Sequence, residues 1–424
     1  MNSPSAPSWR GAVIWAALPL LLGAGSTADA LGVVLPNIRS EHDVHIHQLL
    51  WVVVAYALSQ AVVLIAAGRV GDRVGRRPVF MAGLAVVAVG SLAAAAAPGH
   101  GWLVAARIIE GLGAGILISG TFAIVRDAVP ANVLGRAFGL YGVIGGAALL
   151  LIPLVSGSLI HFGSWRWVLV LNAVLSLVAL LLTPRFLPDG RPSKSSQPSI
   201  PRILRSENFL SATAIAGFMY LVFAMMWFTL TFYLHTVHGL NPLEIGLAFA
   251  SYGIFRTSVS VFAGTLADRI GVRSPLLIGW SLLFLAMVAF SFAANANHLA
   301  ATIVILAVVG IGAAFVAPAV NSAAHGKIHI EDRSDASGLY LTARMIGSGI
   351  GVAIAAVMLA TISGTTKPEF GIIGGQDEAA VAIWIVGAVI SLIAIVISAA
   401  ALRTPARDQA AQSNANEVET PGVV

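Results

Sequence analysis

Apolar runs of near-constant length, broken by short polar stretches, organise this chain from one end to the other. A helix crosses a ~30 Å hydrocarbon core in about 20 residues. Runs of that length fall at 12–36, 49–68, 79–97, 102–124, 136–160 and 166–184, and again at 207–234, 243–266, 274–294, 299–323, 336–362 and 379–402. The pattern predicts an all-α membrane protein with twelve transmembrane helices. Between the two sets of six, residues 185–206 are polar and rich in Pro, Ser and Arg, the composition of a loop joining two bundles. The expected organisation is an N-terminal six-helix bundle (1–184), a cytoplasmic linker (185–206), a C-terminal six-helix bundle (207–404) and a disordered cytoplasmic tail (405–424). Ala28-Asp29-Ala30 imitates a leader cleavage site. The run of 12–36 exceeds a ~7–15-residue leader core, however, and is read as the first span.

A repeat relates the two halves. Gly68-Arg-Val-Gly-Asp72-Arg73-Val-Gly75-Arg76-Arg77 returns 196 residues later as Gly264-Thr-Leu-Ala-Asp268-Arg269-Ile-Gly271-Val-Arg273. The same offset pairs Tyr56 with Tyr252, Gln60 with Arg256, and Gly83 with Gly279. Both copies follow the second span of their half and face the same side, which makes the repeat parallel. Such an arrangement places a substrate site near the midplane between the halves.

Composition agrees with a lipid environment: 58% of residues are hydrophobic and 10% charged, against about 25% charged in a soluble domain. The net charge of +5 then points to basic cytoplasmic loops rather than to nucleic acid. With both termini cytoplasmic, eighteen Lys and Arg fall in inner segments, three in outer loops (Arg39, Arg166, Lys367) and three within helices. That bias orients a multi-pass protein of the bacterial inner membrane. The absence of cysteine excludes disulfides and thiolate metal sites. His42, His45 and His47 are read as a solvated outer loop, with no metal site. Without a Gly-rich phosphate loop or a nucleophile–base pair, the chain reads as no enzyme and implies no cofactor.

Five ionisable residues lie inside predicted spans: Asp29, Arg107, Glu110, Arg256 and Arg344. Each costs about 2.5–3.5 kcal/mol at a helix centre, so each is expected to face a wet interior or another charge. A carboxylate there can titrate and exchange its proton for a cationic substrate; Asp29 and Glu110 are the candidates. Arg107 and Glu110, three apart, share a helix face, either as a tuned acid or as a static ion pair. Arg256 is either a cavity wall for anionic groups or a helix-to-helix hydrogen bond, and Arg344 either lines the cavity or packs and gates. Tyr220, Phe223 and Trp227 share a face of the seventh span, lining a cavity or packing; Tyr56 and Gln60 are the equivalent candidates on the second. Gly111/Gly115, Gly142/Gly146 and Gly347/Gly351 form the small-xxx-small pattern that packs membrane helices closely.

Gly68 to Pro78 resembles the loop signature of the major facilitator superfamily, Gly-x-x-x-Asp-Arg-x-Gly-Arg-Arg/Lys. Asp29 with Pro36, Trp51 with Ala55-Tyr56, Arg107-x-x-Glu110-Gly111, Trp165-Arg-Trp167 with Asn172, and Ala336-Ser-Gly338 with Arg344-x-x-Gly347 resemble the drug:proton antiporter branch. They are most similar to its fourteen-helix subgroup, although the two extra central helices are missing. In the fifth span Gly139, Pro153 and Gly157 keep the antiporter motif, while Ala148, Ile152 and Ser156 replace its glycines. The resemblance implies that Asp72 caps the start of the eleventh helix in the outward-facing state, with Arg73 and Arg76 gripping neighbouring helix ends; a topology anchor is the alternative. Gly68, Gly75, Arg77, Asp268 and Arg269 belong to the same gating element and its repeat. The expected function is export of lipophilic, cationic small molecules or drugs by proton antiport with alternating access. The expected partners are small-molecule substrate, protons and the lipid bilayer, with the chain a monomer. A facilitator-type carrier (symporter or uniporter) for a neutral or anionic metabolite is the alternative.

Overall fold

The computed structural model describes residues 28–129, 134–187, 200–296, 298–326, 328, 332–362 and 376–401, together with Gly11, Val13, Ile14, Trp15 and Ala17. Twelve long helices and one short one account for nearly all of them, because in lipid a backbone must satisfy its own hydrogen bonds. In chain order they are α1 (Ala28–His42), α2 (Ile46–Val74), α3 (Arg76–Ala95), α4 (His100–Ala128), α5 (Leu134–Phe162) and α6 (Arg166–Phe186). The short α7 (Ile200–Arg205) follows, then α8 (Phe209–Thr236), α9 (Pro242–Ile270), α10 (Arg273–Ala296), α11 (Leu299–His325), α12 (Arg333–Ile362) and α13 (Gln376–Ala401). Nine of these are individually long and apolar enough to cross a membrane, and α2, bent by 44° between Leu64 and Ala66, makes a tenth. The first span is described as a continuous helix only from Ala28, and much of the front of α5 by its backbone alone.

Three sequence expectations change. The first span does not end at residue 36: α1 runs through Pro36 to His42 and stops at Asp43, whose φ is 46°. Arg39 and His42, expected in a loop, occupy its last turn, where cations meet the negative end of the helix dipole. The Gly68–Arg77 stretch is not a loop but helix as far as Val74, resuming at Arg76. Gly75 alone makes the turn, at φ 107° and ψ 147°, a conformation closed to side chains with a Cβ; Gly271 repeats it at φ 83°. Finally, the linker ends in structure. Ile203 of α7 is buried, and Arg202 clasps Asp332 through Nε at 2.6 Å and Nη2 at 2.8 Å.

Packing follows the repeat. Helix α2 packs on α4, α4 on α3 and α3 on α6; in the other half α9 packs on α11, α11 on α10 and α10 on α13. The halves meet along two seams, α2 against α12 and α5 against α9. In the second seam the two backbones pass closely: a Cβ on Gly157 would stand 2.5 Å from the Pro242 carbonyl oxygen and one on Gly246 2.5 Å from that of Pro153.

Candidate functional site

The N-terminal bundle encloses a charged network. Arg107 and Glu110 of α4 are both fully buried, and Arg107 Nη1 donates to Glu110 Oε2 at 2.6 Å. The other carboxylate oxygen accepts from Ser91 Oγ on α3 at 2.9 Å and Asn172 Nδ2 on α6 at 2.8 Å. Arg107 Nε donates to the Val52 carbonyl on α2 at 3.1 Å, and its guanidinium lies 4.2 Å over the Tyr56 ring. Four helices therefore converge on one ion pair. Burying two charges is tolerable only when their remaining hydrogen-bonding positions are filled, and here the neighbours fill them. Gly90 permits the approach of α3, since a Cβ there would meet the Glu110 backbone nitrogen at 2.6 Å.

The C-terminal half repeats this backbone but not its charges. A Cβ on Gly111 would lie 2.4 Å from the Tyr56 carbonyl oxygen, and one on Gly310 2.6 Å from that of Tyr252. Gly113 against Gly83 and Gly312 against Gly279 match in the same way, each 3.0 Å from the carbonyl. Aligned on these glycines, Arg107 and Glu110 correspond to Leu306 and Val309, both buried and apolar.

The cations of the C-terminal bundle lie elsewhere. Arg256 Nη1 on α9 donates to Tyr252 Oη at 2.6 Å, and the guanidinium stands 5.6 Å from the ring centroid. Arg344 on α12 donates to Tyr220 Oη on α8 and stacks 4.1 Å over that ring. Tyr252 meets Trp227 edge-on at 5.0 Å and Phe223 at 6.1 Å. Tyr220, Phe223 and Trp227, spaced as one face of α8, thus form a wall against which both Tyr–Arg units rest.

At the arginine-rich end, Asp72 pairs with Arg76 at 3.0 Å across the Gly75 turn. Arg69 reaches Asp335 in the first turn of α12 at 3.4 Å, so Arg69 grips that helix across the seam. At the opposite end Glu41 of α1 accepts from Trp165 Nε1 at 2.5 Å and from Arg166, while Arg166 Nη2 donates to the Ala97 carbonyl at 3.1 Å. Desolvation pushes the Glu41 carboxyl up, but the bonds from Arg166 and Trp165 outweigh it and hold the group below the usual glutamate value.

The structure brings Arg107, Glu110 and Tyr56 together, and separately Tyr220, Phe223, Trp227, Arg256 and Arg344. Asp29 lies on α1, but its side chain, like those of His47 and Asp268, falls outside the described residues. Gln60 is buried, and among the described residues neither amide atom has a hydrogen-bond partner. Gly75 makes the turn at the arginine-rich end, Gly68, Arg73 and Arg77 flank it, and Arg269 is exposed in the last turn of α9. Among the described residues no group of three His or acidic side chains gathers as metal ligands. Ser91, Asp332, Asp335, Arg69 and Arg202 were not singled out from sequence. Ser91 sits in an apolar span with no pattern around it, and the other four carry charge where loops are ordinarily charged.

A long-helix bundle with two pseudo-equivalent halves and ionised groups in its spans defines a secondary transporter fold. The chain matches the Major Facilitator Superfamily over residues 17–352 and belongs to it; it is a multi-pass membrane transporter, not an enzyme. Among its relatives, the multidrug resistance protein Stp of Mycobacterium tuberculosis is 27% identical over 403 residues, covering 80% of this chain and 75% of that one. The riboflavin transporter RibZ of Clostridioides difficile is 23% identical over 383 residues, 77% and 84% of the respective chains. A solved structure, a bacterial homologue of the human lysosomal transporter Spinster in an inward-facing, unoccupied conformation, superposes with a TM-score of 0.74 at 16% identity, covering 94% and 97%.

Proposed function

We propose that this transporter exports lipophilic small organic molecules in exchange for protons, by alternating access of its two bundles. The observation that carries the reading is the buried Arg107–Glu110 network. A proton delivered to Glu110 removes the charge that Arg107, Ser91 and Asn172 hold. The four helices joined there are then free to rearrange, which is the linkage an antiporter needs. Asp29, the other acid in a span, is the second coupling residue. The resistance function named for Stp supports a drug-like cargo. The gate is formed at the inner face by Gly68, Asp72, Arg73, Gly75, Arg76 and Arg77, with Asp268 and Arg269 as its repeat. The protein works as a monomer in a bacterial inner membrane with both termini cytoplasmic.

A facilitator-type carrier of a neutral or anionic metabolite is the second reading, favoured by Arg256 and by the riboflavin transport named for RibZ. The two separate in proteoliposomes. A counterflow screen with a dye and antibiotic panel identifies a cargo, and protons released on its addition to purified protein are then measured. Antiport requires that release, and requires its loss in Asp29→Asn or Glu110→Gln. Transport that neither moves protons nor responds to a pH gradient would sink it.

A further inference from the structure

We propose that the last third of α2, residues 66–74, is a lever that bends about Ile65 to open the arginine-rich face. In the structure Thr342 and Asp335 of α12 hold it across the seam, and a cavity between α2, α3 and α4 receives it on release. The inference requires a transporter that opens at this face and makes no use of proton coupling. Among the described residues α2 is the helix broken by more than 40°, while α9, its repeat counterpart, crosses as one span from Pro242 to Ala267. The bend is therefore not part of the repeat and has a local cause.

No Pro, Gly or Ser stands at Leu64, Ile65 or Ala66, where the usual sequence causes of a kink would sit. A side chain inserted into the backbone ladder is another cause, and one is present. Thr342 Oγ1 of α12 donates to the Ala61 carbonyl at 3.4 Å. In a helix that carbonyl is the acceptor for the amide four residues on, which is Ile65, at the bend itself. Two turns farther along α2, Arg69 pairs with Asp335 of α12 at 3.4 Å. Helix α12 is fixed to its own half. A Cβ on Gly347 would stand 2.2 Å from the Gly217 carbonyl oxygen of α8, and one on Gly351 2.3 Å from that of Leu221. Arg202 also clasps Asp332 at its start. When the seam parts at this face, α2 is the side that yields.

Before the bend α2 lies tightly against α4. A Cβ on Gly111 would stand 2.4 Å from the Tyr56 carbonyl oxygen, and one on Gly115 2.6 Å from that of Gln60. After the bend the two helices part. Ala67 and Gly71 continue the stripe of Tyr56, Gln60 and Val63 at helical spacing. Yet a Cβ on the buried Gly71 would meet no described atom within 4 Å, and one on Gly120 only Ile124 Cδ1 of its own helix, at 3.7 Å. The space between is a cavity lined by Ala67 and Gly71 of α2, Val79 and Phe80 of α3, and Ile116 and Gly120 of α4. A void forfeits the dispersion contacts of its lining, so packing draws the lever toward α4 and the two contacts from α12 hold it off. Ile65 to Arg73 spans ~12 Å of helix, and straightening the 44° bend carries that end by about 9 Å.

The test measures distances within the N-terminal half, which a rigid bundle holds constant. The chain has no cysteine, so spin labels go on introduced cysteines in the full-length protein in nanodiscs. One pair joins Arg73, on the lever, to the exposed Leu181 of α6; the control joins Leu181 to the exposed Val62, just before the bend. In Arg69→Gln/Thr342→Val the Arg73–Leu181 distance should shorten by several ångströms, up to about 9 Å, while Val62–Leu181 stays fixed. Arg69→Gln/Thr342→Ser, which keeps the hydroxyl, should shorten it less. Gly120→Leu added to the first double variant fills the cavity and should restore the longer distance. If that triple variant is not monodisperse, Gly71→Leu fills the same space from α2. An unchanged Arg73–Leu181 distance in the double variant overturns the lever. So does a Val62–Leu181 shift of equal size, or a filled cavity that does not block the movement. Neither cargo nor pH gradient enters, so failure here leaves antiport standing, and failure of antiport leaves the lever intact.

Discussion

Arg69 of α2 and Asp335 of α12 form an ion pair at 3.4 Å that bridges the two halves at the arginine-rich face. With the arginine 40% exposed, the pair contributes at most about 1 kcal/mol, which is still a several-fold change in a two-state population. Arg69→Gln should therefore leave thermal stability nearly unaltered while favouring the arrangement open at the arginine-rich face. Spin labels at Arg73 and Ser322 should separate in the variant, and labels at Asp43 and Asn241 should approach. If the two distances rise together, or neither moves, the halves do not rock about a central site.

The buried pair invites a substitution copied from the other half. Removing one partner of a buried ion pair costs about 3–5 kcal/mol, whereas replacing both by apolar residues is often neutral. Arg107→Leu or Glu110→Val alone should lower the melting temperature sharply. The double variant, which reproduces Leu306 and Val309, should recover most of the loss yet remain inactive in gradient-driven export. A double variant less stable than either single one would mean the network is not equivalent to the apolar packing it mirrors.

Gly111→Ala and Gly310→Ala should do equivalent damage, since each new methyl meets a tyrosine carbonyl at 2.4 and 2.6 Å respectively. Neither backbone can yield without parting α2 from α4 or α9 from α11. Overpacking of this kind costs about 1–3 kcal/mol or more. The check is the yield of monodisperse protein in detergent, and a tolerated substitution at either position would break the structural equivalence.

Cutting the chain near Ser195 and co-expressing 1–195 with 196–424 should still yield an assembled transporter, because α7 stays docked on its own half through Arg202 and Asp332. Asp332 is almost fully buried, and bidentate charge-assisted bonds are the stronger kind. Asp332→Asn should weaken the split protein more than the intact one, measured as the fraction of fragments that copurify.

Glu41 sets a pH dependence at the face opposite the arginine-rich one. A carboxyl held below its unfolded value supplies stability that is present above that value, about 4.3, and lost as pH falls through the folded one. The side chains are 41% and 31% exposed, which limits the effect to about 1 kcal/mol. The melting temperature of wild type minus that of Glu41→Gln should be constant between pH 7 and 5 and shrink on further acidification. A difference that grows in acid would reverse the assigned cause.

Membrane spanning, the helix count and the parallel repeat are decided by the sequence alone. They rest on run lengths, on the Lys and Arg bias and on a 196-residue offset, all properties of a chain whose solvent changes abruptly from water to lipid. The sequence also marks which charges are out of place, because an Arg107 or Arg256 inside an apolar run has no cheap location. It does not say which charges meet. Spacing brought Arg107 to Glu110, but Ser91 and Asn172 arrive from separate helices through packing at Gly90. The grip on Asp335 falls to Arg69 because α2 stays helical to Val74 and turns only at Gly75, carrying the expected loop residues along a rigid axis. The asymmetry between the halves, a neutralised pair in one and tyrosine-held arginines in the other, exists only once α4 and α11 are superposed on their glycines. Which polar groups share a buried space is a property of packed surfaces, and it depends on contacts between residues far apart in the chain.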